Sequence, residues 1–441
     1  MSRQRRFPPS DARAVAYAVL QAVEDEDAFL QPALQAAADR GHLDGRDRGL
    51  ALEIVSGVLR WRALLDYALA PHLGLGLDGT HPILLRVLRM GAYQLMFLDR
   101  IPRRAAVHAT VELARSVGGD GATGLINGVL RAMLRAEPKD DPEDAATRLS
   151  QPAWLYAAWL AEGGPDWAGA LARASNAPAP LTVRPDGDCP DRDALASLLR
   201  AEGAEVAPTR FAPDGLHLIE HPAPFEERAF RERAWQPQDE ASQLVVRLLD
   251  PQPGEAVWDA CAAPGGKSRY AALLMRRRGR LLATDVHAEK AARLRRGLAD
   301  LGPWVEVDAR DAAEPTDERF DRVLLDAPCT GLGVIRRHPE IKWRRSPDDV
   351  ATRAVVQARL LRGVASAVRP GGVLVYSVCS DQAAEGPDVV HAFLADRPEF
   401  TLDAAPEGPV DWRPLLHEGC LRTRPHLHDA DGFFAARLRR A

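Results

Sequence analysis

The chain of 441 residues is too long for one ordinary hydrophobic core and implies two or three domains at roughly 150 residues each. Hydrophobic residues make up 46% and charged residues 27%, which excludes wholesale disorder. A net charge of −5 excludes a globally basic polyanion binder, so any nucleic-acid surface has to come from local patches.

The N-terminal stretch "MSRQRRFPPSDAR" has no apolar signal core, so secretion is not expected. From Ser10 to about Arg135 apolar residues recur with a helical period. Ser10 can cap a first helix that carries Val15, Val19, Leu20 and Val23 on one side. Leu50, Ile54, Val58 and Leu65 follow, then Ile83, Val87 and Met90, then Val107, Val111 and Ala114, and then Ile126, Val129, Leu130 and Met133. The pattern predicts a bundle of about six helices over 1–140. Arginines inside every apolar run speak against a membrane span. The charged, proline-bearing "EPKDDPEDA" (137–145) reads as a linker.

Residues 150–235 read as a small α+β module: Trp154, Trp159 and Trp167 lie in a helical stretch, and strands in "APLTVRPDG" and "DGLHLIE" flank a helix at 191–202. A helix in "WQPQDEASQLVVRLLDPQPGE", ended by Pro251 and Pro253, leads into the third domain, 236–441. There short apolar runs alternate with helical ones, the pattern of a parallel sheet wound by crossover helices. Strands are predicted at 256–260, 280–285, 304–308, 321–326 and 372–379, with a late one at 432–438. Most of these strands end in Asp or Cys. Ligands of open α/β sheets bind at the carboxyl ends of strands, so the repeated placement describes one site.

Cys189, Cys261, Cys329, Cys379 and Cys420 are odd in number and form no Cys-x-x-Cys pair, which fits a reducing, cytoplasmic setting and offers no metal cluster. Only four of the 57 basic residues are lysine. Four basic patches stand in the second half: "RRRGR" (276–280), "RLRR" (293–296), "RRHP" (336–339) and "KWRR" (342–345).

In "DACAAPGGKSRYAALL" (259–274) a strand meets a glycine turn and a helix start, so Gly265 and Gly266 let backbone approach a ligand. The stretch is neither Gly-x-Gly-x-x-Gly nor a P-loop. Asp285 ends the next strand, where a carboxylate can hold ribose hydroxyls, and Asp308 ends the third, within reach of an adenine amine. Together they specify a nucleoside without polyphosphate, namely S-adenosylmethionine. Asp326-Ala-Pro-Cys329 and Cys379 add a carboxylate and two thiols. Carbon 5 of cytosine needs such a set, because a thiolate must first add at carbon 6 before carbon 5 can attack a methylsulfonium. A carboxylate at ring nitrogen 3 eases that addition. Chemistry alone leaves Cys329 and Cys379 nearly interchangeable as the nucleophile.

"DACAAPGGK", "LLDAPCTGLGVIRRHPEIKW" and "YSVCS" resemble the RNA cytosine-5 methyltransferases of the NOL1/NOP2/Sun family. "RDRGLALEIVSGVLRWRALLDYAL" and "LINGVLRA" look like the NusB-like RNA-binding domain of bacterial members that act on small-subunit ribosomal RNA. The fold this implies is an all-α NusB-like domain, a small α+β module and a C-terminal α/β, Rossmann-like class I methyltransferase domain. The implied partner is 16S ribosomal RNA in an unassembled or partly assembled small subunit, with no membrane and no DNA. The implied donor loop is Cys261, Ala262, Ala263, Pro264, Gly265, Gly266 and Lys267. Asp285 falls on the ribose carboxylate, Asp308 on the adenine side with Asp311 as its alternative, and Asp326 on the carboxylate between donor and base. The resemblance gives the attack to Cys379 and product release to Cys329. It departs at Val378, where the family often has Thr, and at "SDQAAEGPDV", which leaves Glu385 alone and without a role. His338 and Trp343 are candidates for RNA contact or for packing of their own loop. The rival readings are the same chemistry on tRNA and an inactive NusB-like assembly factor.

Overall fold

The computed structural model describes residues 11–136, 141–220, 225 and 227–441. Ser10 and part of the linker at 137–140 lie outside them. The chain divides into two compact units, one of residues 1–177 with 337–344 and one of 178–336 with 345–441.

The first unit is helical: α1 (Ala12–Asp25), α2 (Leu30–Gly41), α3 (Gly45–Arg60), α4 (Arg62–Leu69), α5 (Pro82–Phe97), α6 (Arg103–Gly118) and α7 (Asp120–Arg135), then α8 (Ala145–Arg148) and α9 (Ala153–Asn176). The predicted apolar stripes form its core, with Leu20, Ile54, Leu65, Val87, Met90, Ile126 and Leu130 fully buried. Asp11, next to the expected Ser10, caps α1 by accepting the Arg13 N–H. Among the described residues up to 135 there are seven α-helices where about six were expected. The run from Leu50 to Leu65 breaks at Trp61, and the alanine-rich face of α2 has too weak a period to read.

Residues Arg337–Arg344 belong to this helical unit, although they lie in sequence between Cys329 and Cys379. The Glu340 carboxylate accepts the Leu30 N–H at 3.0 Å, and the Trp343 indole N–H donates to the Leu59 carbonyl. Lys342 is buried, and its Nζ donates to Arg60 O (2.9 Å), Ser150 O (2.6 Å) and Asn176 Oδ1 (2.9 Å). His338 packs edge-on to Phe29. The segment therefore spends most of its polar groups on backbone, which corrects two of the four expected basic patches. Arg344 is taken up by the Val23 and Ala28 carbonyls, and Arg336, in the second unit, by Pro178 O and Asp429. His338 and Trp343 follow the packing reading.

The second unit holds two sheets. The smaller comprises β1 (Leu181–Pro185), β2 (Glu205–Pro208), β3 (Leu216–Glu220) and β4 (Trp235–Pro237), antiparallel in the order β2-β3-β1-β4, with α10 (Arg192–Ala201) and α11 (Arg228–Arg231). β2 and β4 are too short to show alternation in sequence. After α12 (Glu240–Leu249) come β5 (Ala256–Asp259), α13 (Gly266–Leu274), β6 (Arg280–Asp285), α14 (Ala288–Leu298), β7 (Val305–Ala309) and β8 (Phe320–Asp326). Beyond the one-turn α15 (Ile341–Arg344) lie α16 (Pro347–Ala365), β9 (Val368–Val378), α17 (Pro387–Asp396), β10 (Phe400–Leu402), β11 (Leu416–His417), β12 (Cys420–Thr423), α18 (Pro425–His428) and β13 (Phe433–Arg440).

Strands β9-β8-β5-β6-β7 are mutually parallel, and β13, β12 and β11 continue the sheet antiparallel beyond β9. Near-continuous apolar runs in β5, β8 and β9 suit strands covered on both faces. The sequence showed only the last of the antiparallel strands, since β10, β11 and β12 are two to four residues long. Among the described residues no helix is long and apolar enough to cross a membrane.

Candidate active site

Parallel pairing sets the carboxyl ends of five strands side by side, which is where the chemistry-bearing residues collect. In register Asp326 of β8 stands beside Ser377 of β9, two residues before Cys379. On the other side β5 runs into the glycine turn, and Thr284, just before Asp285, pairs with Asp308 of β7.

The two thiols lie together. Cys329 Sγ and Cys379 Sγ are 3.3 Å apart, in hydrogen-bond range for sulfur. That hydrogen bond first, and burial second, push the Cys329 thiol well above its ordinary pKa, so Cys329 keeps its proton at neutral pH. Both loops are fastened by Glu385, which is fully buried. One of its oxygens accepts the Thr330 N–H at 2.8 Å and the Gln357 amide at 3.0 Å; the other accepts the hydroxyls of Thr330 and Ser380. Gly333 donates its N–H to Cys379 O and accepts that of Gly432. A Cβ on Gly333 would sit 1.9 Å from the Gly432 carbonyl oxygen, so only glycine allows this crossing.

Asp326 is gripped from both sides, by Lys267 Nζ on one oxygen and Ser377 Oγ on the other, each at 2.7 Å. Burial works against the Lys267 charge, but Asp326 outweighs it and holds the ammonium above its ordinary pKa. Lys267 also lies over the Phe433 ring, 5.2 Å from its centroid, and within electrostatic reach of Cys379.

The donor turn has the form expected for S-adenosylmethionine. Gly265 sits at φ +110°, and a Cβ there would press to 2.8 Å from Leu294. At Gly266 the nearest atom to a Cβ would be 4.0 Å away, leaving an open cradle. No side chain caps α13, so its first N–H groups remain available. Asp285 is buried at the end of β6; one oxygen accepts the His287 N–H, and the other makes no hydrogen bond among the described residues. Both candidates for the adenine side are engaged: Asp308, which is exposed, accepts the Ala309 N–H at 2.8 Å and lies 3.8 Å from Arg310, and Asp311 accepts from the Ala313 N–H and Arg359. These residues fit a nucleoside donor with one ribose.

Asp259 has one oxygen bonded to Ser268 and the other buried without a partner. Burial pushes its pKa from 3.8 to about 7, against the lowering effect of Ser268. A carboxyl raised in this way favours the neutral form in the fold. Its stabilisation is full below pH 3.8 and is lost as pH climbs through 7. Asp259→Asn is therefore expected to flatten the fall in melting temperature between pH 5 and pH 8. An unchanged pH profile would refute the assignment.

Cys261 is mostly buried against the core, and burial raises its thiol; Cys420 is buried with its thiol pushed up to about 11. Cys189 lies in the smaller sheet's cluster. Among the described residues no group of three or more His, Cys, Asp or Glu is placed to hold a metal. The sequence reading missed Glu385, Ser377 and Asp259. The usable signal for Glu385 was an acid six residues after Cys379, next to the Ala383-Ala384 pair and before Gly386.

A model of the NusB family matches residues 10–135, one of the ferredoxin-like domain of RsmF/B-like methyltransferases matches 151–225, and one of the 16S rRNA methyltransferase RsmB/F matches 246–439. The probable ribosomal RNA small subunit methyltransferase B of Bacillus subtilis is 36% identical over 98% of this chain and 99% of its own length. The corresponding Thermus thermophilus protein is 37% identical over 97% of each. The crystal structure of PH0851 superposes with a TM-score of 0.83 at 27% identity, covering 99% of this chain and 100% of that one. With the helical part, the ferredoxin-like module and the methyltransferase sheet all matched in one order, the chain belongs to the ribosomal RNA small subunit methyltransferase B family.

Proposed function

We propose that this methyltransferase modifies carbon 5 of a cytosine in 16S ribosomal RNA through a covalent bond from Cys379 to ring carbon 6. The observation that carries the reading is the pair of thiols 3.3 Å apart beside Asp326. Methyl transfer to nitrogen or oxygen needs no thiol, whereas carbon 5 of a pyrimidine does.

S-adenosylmethionine, held by Cys261 to Lys267, Asp285 and Asp308, would supply an electrophilic methyl group. The Cys379 thiolate adds to carbon 6, within electrostatic reach of Lys267. Ring nitrogen 3 takes a proton from solvent, the Asp326 carboxylate accepts the hydrogen bond of that N–H and so stabilises the charge arriving in the ring, and nitrogen 3 returns the proton to solvent when the sulfur leaves. Carbon 5 gains enamine character and becomes methylated. After loss of the carbon-5 proton the Cys379–carbon 6 bond breaks, and the sulfur leaves as thiolate. Cys329, which keeps its proton, assists that release. The parts at 1–140 and 150–235 bring RNA to the catalytic part at 236–441. The cytosine has to be flipped out or lie in an unpaired region, as in an incompletely assembled subunit.

The test incubates the full chain with methyl-labelled S-adenosylmethionine and, in separate reactions, free 16S RNA, mature small subunits or tRNA, and digests the RNA to nucleosides. Label in 5-methylcytidine from free 16S RNA is expected. Label appearing in tRNA alone would select the tRNA reading. No label in any RNA would leave a binding or assembly factor.

A further inference from the structure

Helices α6 and α7 of the helical unit border a groove of about 780 Å³. Arg104 and His108 are four residues apart on α6, and Asn127, Arg131 and Arg135 recur every four on α7. Each set therefore forms one stripe along its helix. Leu134 belongs to the apolar floor, and among the described residues no carboxylate lines the groove. The three arginines are exposed, and among the described residues their guanidinium groups make no ion pair or hydrogen bond. His108 is the single lining residue with an acidic neighbour, Glu112 at 4.0 Å.

Several arginines elsewhere on the molecule are matched by carboxylates. Arg86 and Arg89 are paired with Glu24, Asp25 and Asp66, Arg269 with Asp186 and Asp300, and exposed Arg115 with Glu112. Three exposed arginines with no partner among the described residues, gathered in one concavity of a chain with net charge −5, make a local cationic patch. Beside the groove, and sharing Leu134 with it, lies a mainly apolar hollow of about 630 Å³ bordered by Tyr67, His72, Met96 and Met133. A cationic track next to an apolar, ring-bearing hollow matches what a single strand presents, phosphates along one edge and bases along the other.

We propose that the α6–α7 groove grips the backbone phosphates of single-stranded RNA, with a base entering the adjoining hollow. The inference rests on the reading of RNA as substrate and adds the surface that holds it. The test compares the full-length wild type with the triple variant Arg104→Gln, Arg131→Gln, Arg135→Gln, with a 16S RNA transcript as the probe. Affinity across a salt series and steady-state methyl transfer are both measured. Single strands lose about 0.7 in the slope of log K against log salt per phosphate released, so the variant's slope is expected to fall by about 2. KM for RNA is expected to rise at least about tenfold, with kcat at saturating RNA and S-adenosylmethionine affinity unchanged. Wild-type affinity and slope in the variant would overturn the proposal. If the triple variant fails to fold, each single variant is expected to lose about 0.7 of slope, and unchanged slopes overturn it equally. Should the wild type bind RNA but methylate none, the catalytic reading fails while the salt series still decides on the groove.

Discussion

Replacing Cys329 with serine is expected to trap the protein on its RNA as a covalent species that survives a denaturing gel, with turnover reduced at least about 10³-fold. Cys379→Ser is expected to give neither adduct nor product. The asymmetry follows from the site. The Cys329 thiol is held protonated by its hydrogen bond to Cys379 and by burial, so it is a poor nucleophile and a suitable partner for a departing thiolate. A serine hydroxyl there holds its proton far more tightly and sits on a shorter bond, so it supports addition but not release. Cys379 stands within electrostatic reach of Lys267. An adduct in the Cys379 variant, or wild-type turnover in the Cys329 variant, would reverse the roles.

Glu385→Ala is expected to destabilise the catalytic unit by about 3–5 kcal/mol, since it strands a backbone N–H, an amide and two hydroxyls in a fully buried place. It should also abolish adduct formation, because those four donors fix Thr330, next to Cys329, and Ser380, next to Cys379. Glu385→Gln is the milder change. One carboxamide oxygen can still face the Thr330 N–H, and the hydroxyls can turn to accept from its NH₂, so a loss of about 1–2 kcal/mol is expected. Denaturant midpoints and the rate of adduct formation measure the two effects. An alanine variant as stable and as fast as wild type would show that Glu385 does not fasten the loops.

The parallel strands and the glycine turn were legible because they rest on local pattern: apolar runs buried on both faces, each ending in Asp or Cys. The strand at 280–285 was read to the residue. What the sequence could not show depends on register and on long-range acceptors. Ser377 matters because β8 and β9 pair so that it stands beside Asp326, and nothing within "YSVCS" reveals that neighbour. Glu385 gathers donors from three separate stretches of chain. The basic patches misled for the same reason. Arg336, Lys342 and Arg344 look solvated in sequence, but they satisfy carbonyl oxygens whose positions only the fold defines. The two-residue β11 lies below the length at which alternation exists.

The segment Arg337–Arg344 bears on how the chain is made. A domain at the start of a polypeptide usually completes its fold while the rest is still emerging from the ribosome. In this helical unit Leu30 N–H, Arg60 O, Ser150 O and Asn176 Oδ1 take their partners from Glu340 and Lys342, which are synthesised much later. The part synthesised first is thus finished only after both halves of the donor site, β5 to β8, have been produced. An order of folding is written into the connectivity: the helical unit closes on a piece of the loop that begins at Cys329, so its completion reports that this stretch of the catalytic part has been delivered.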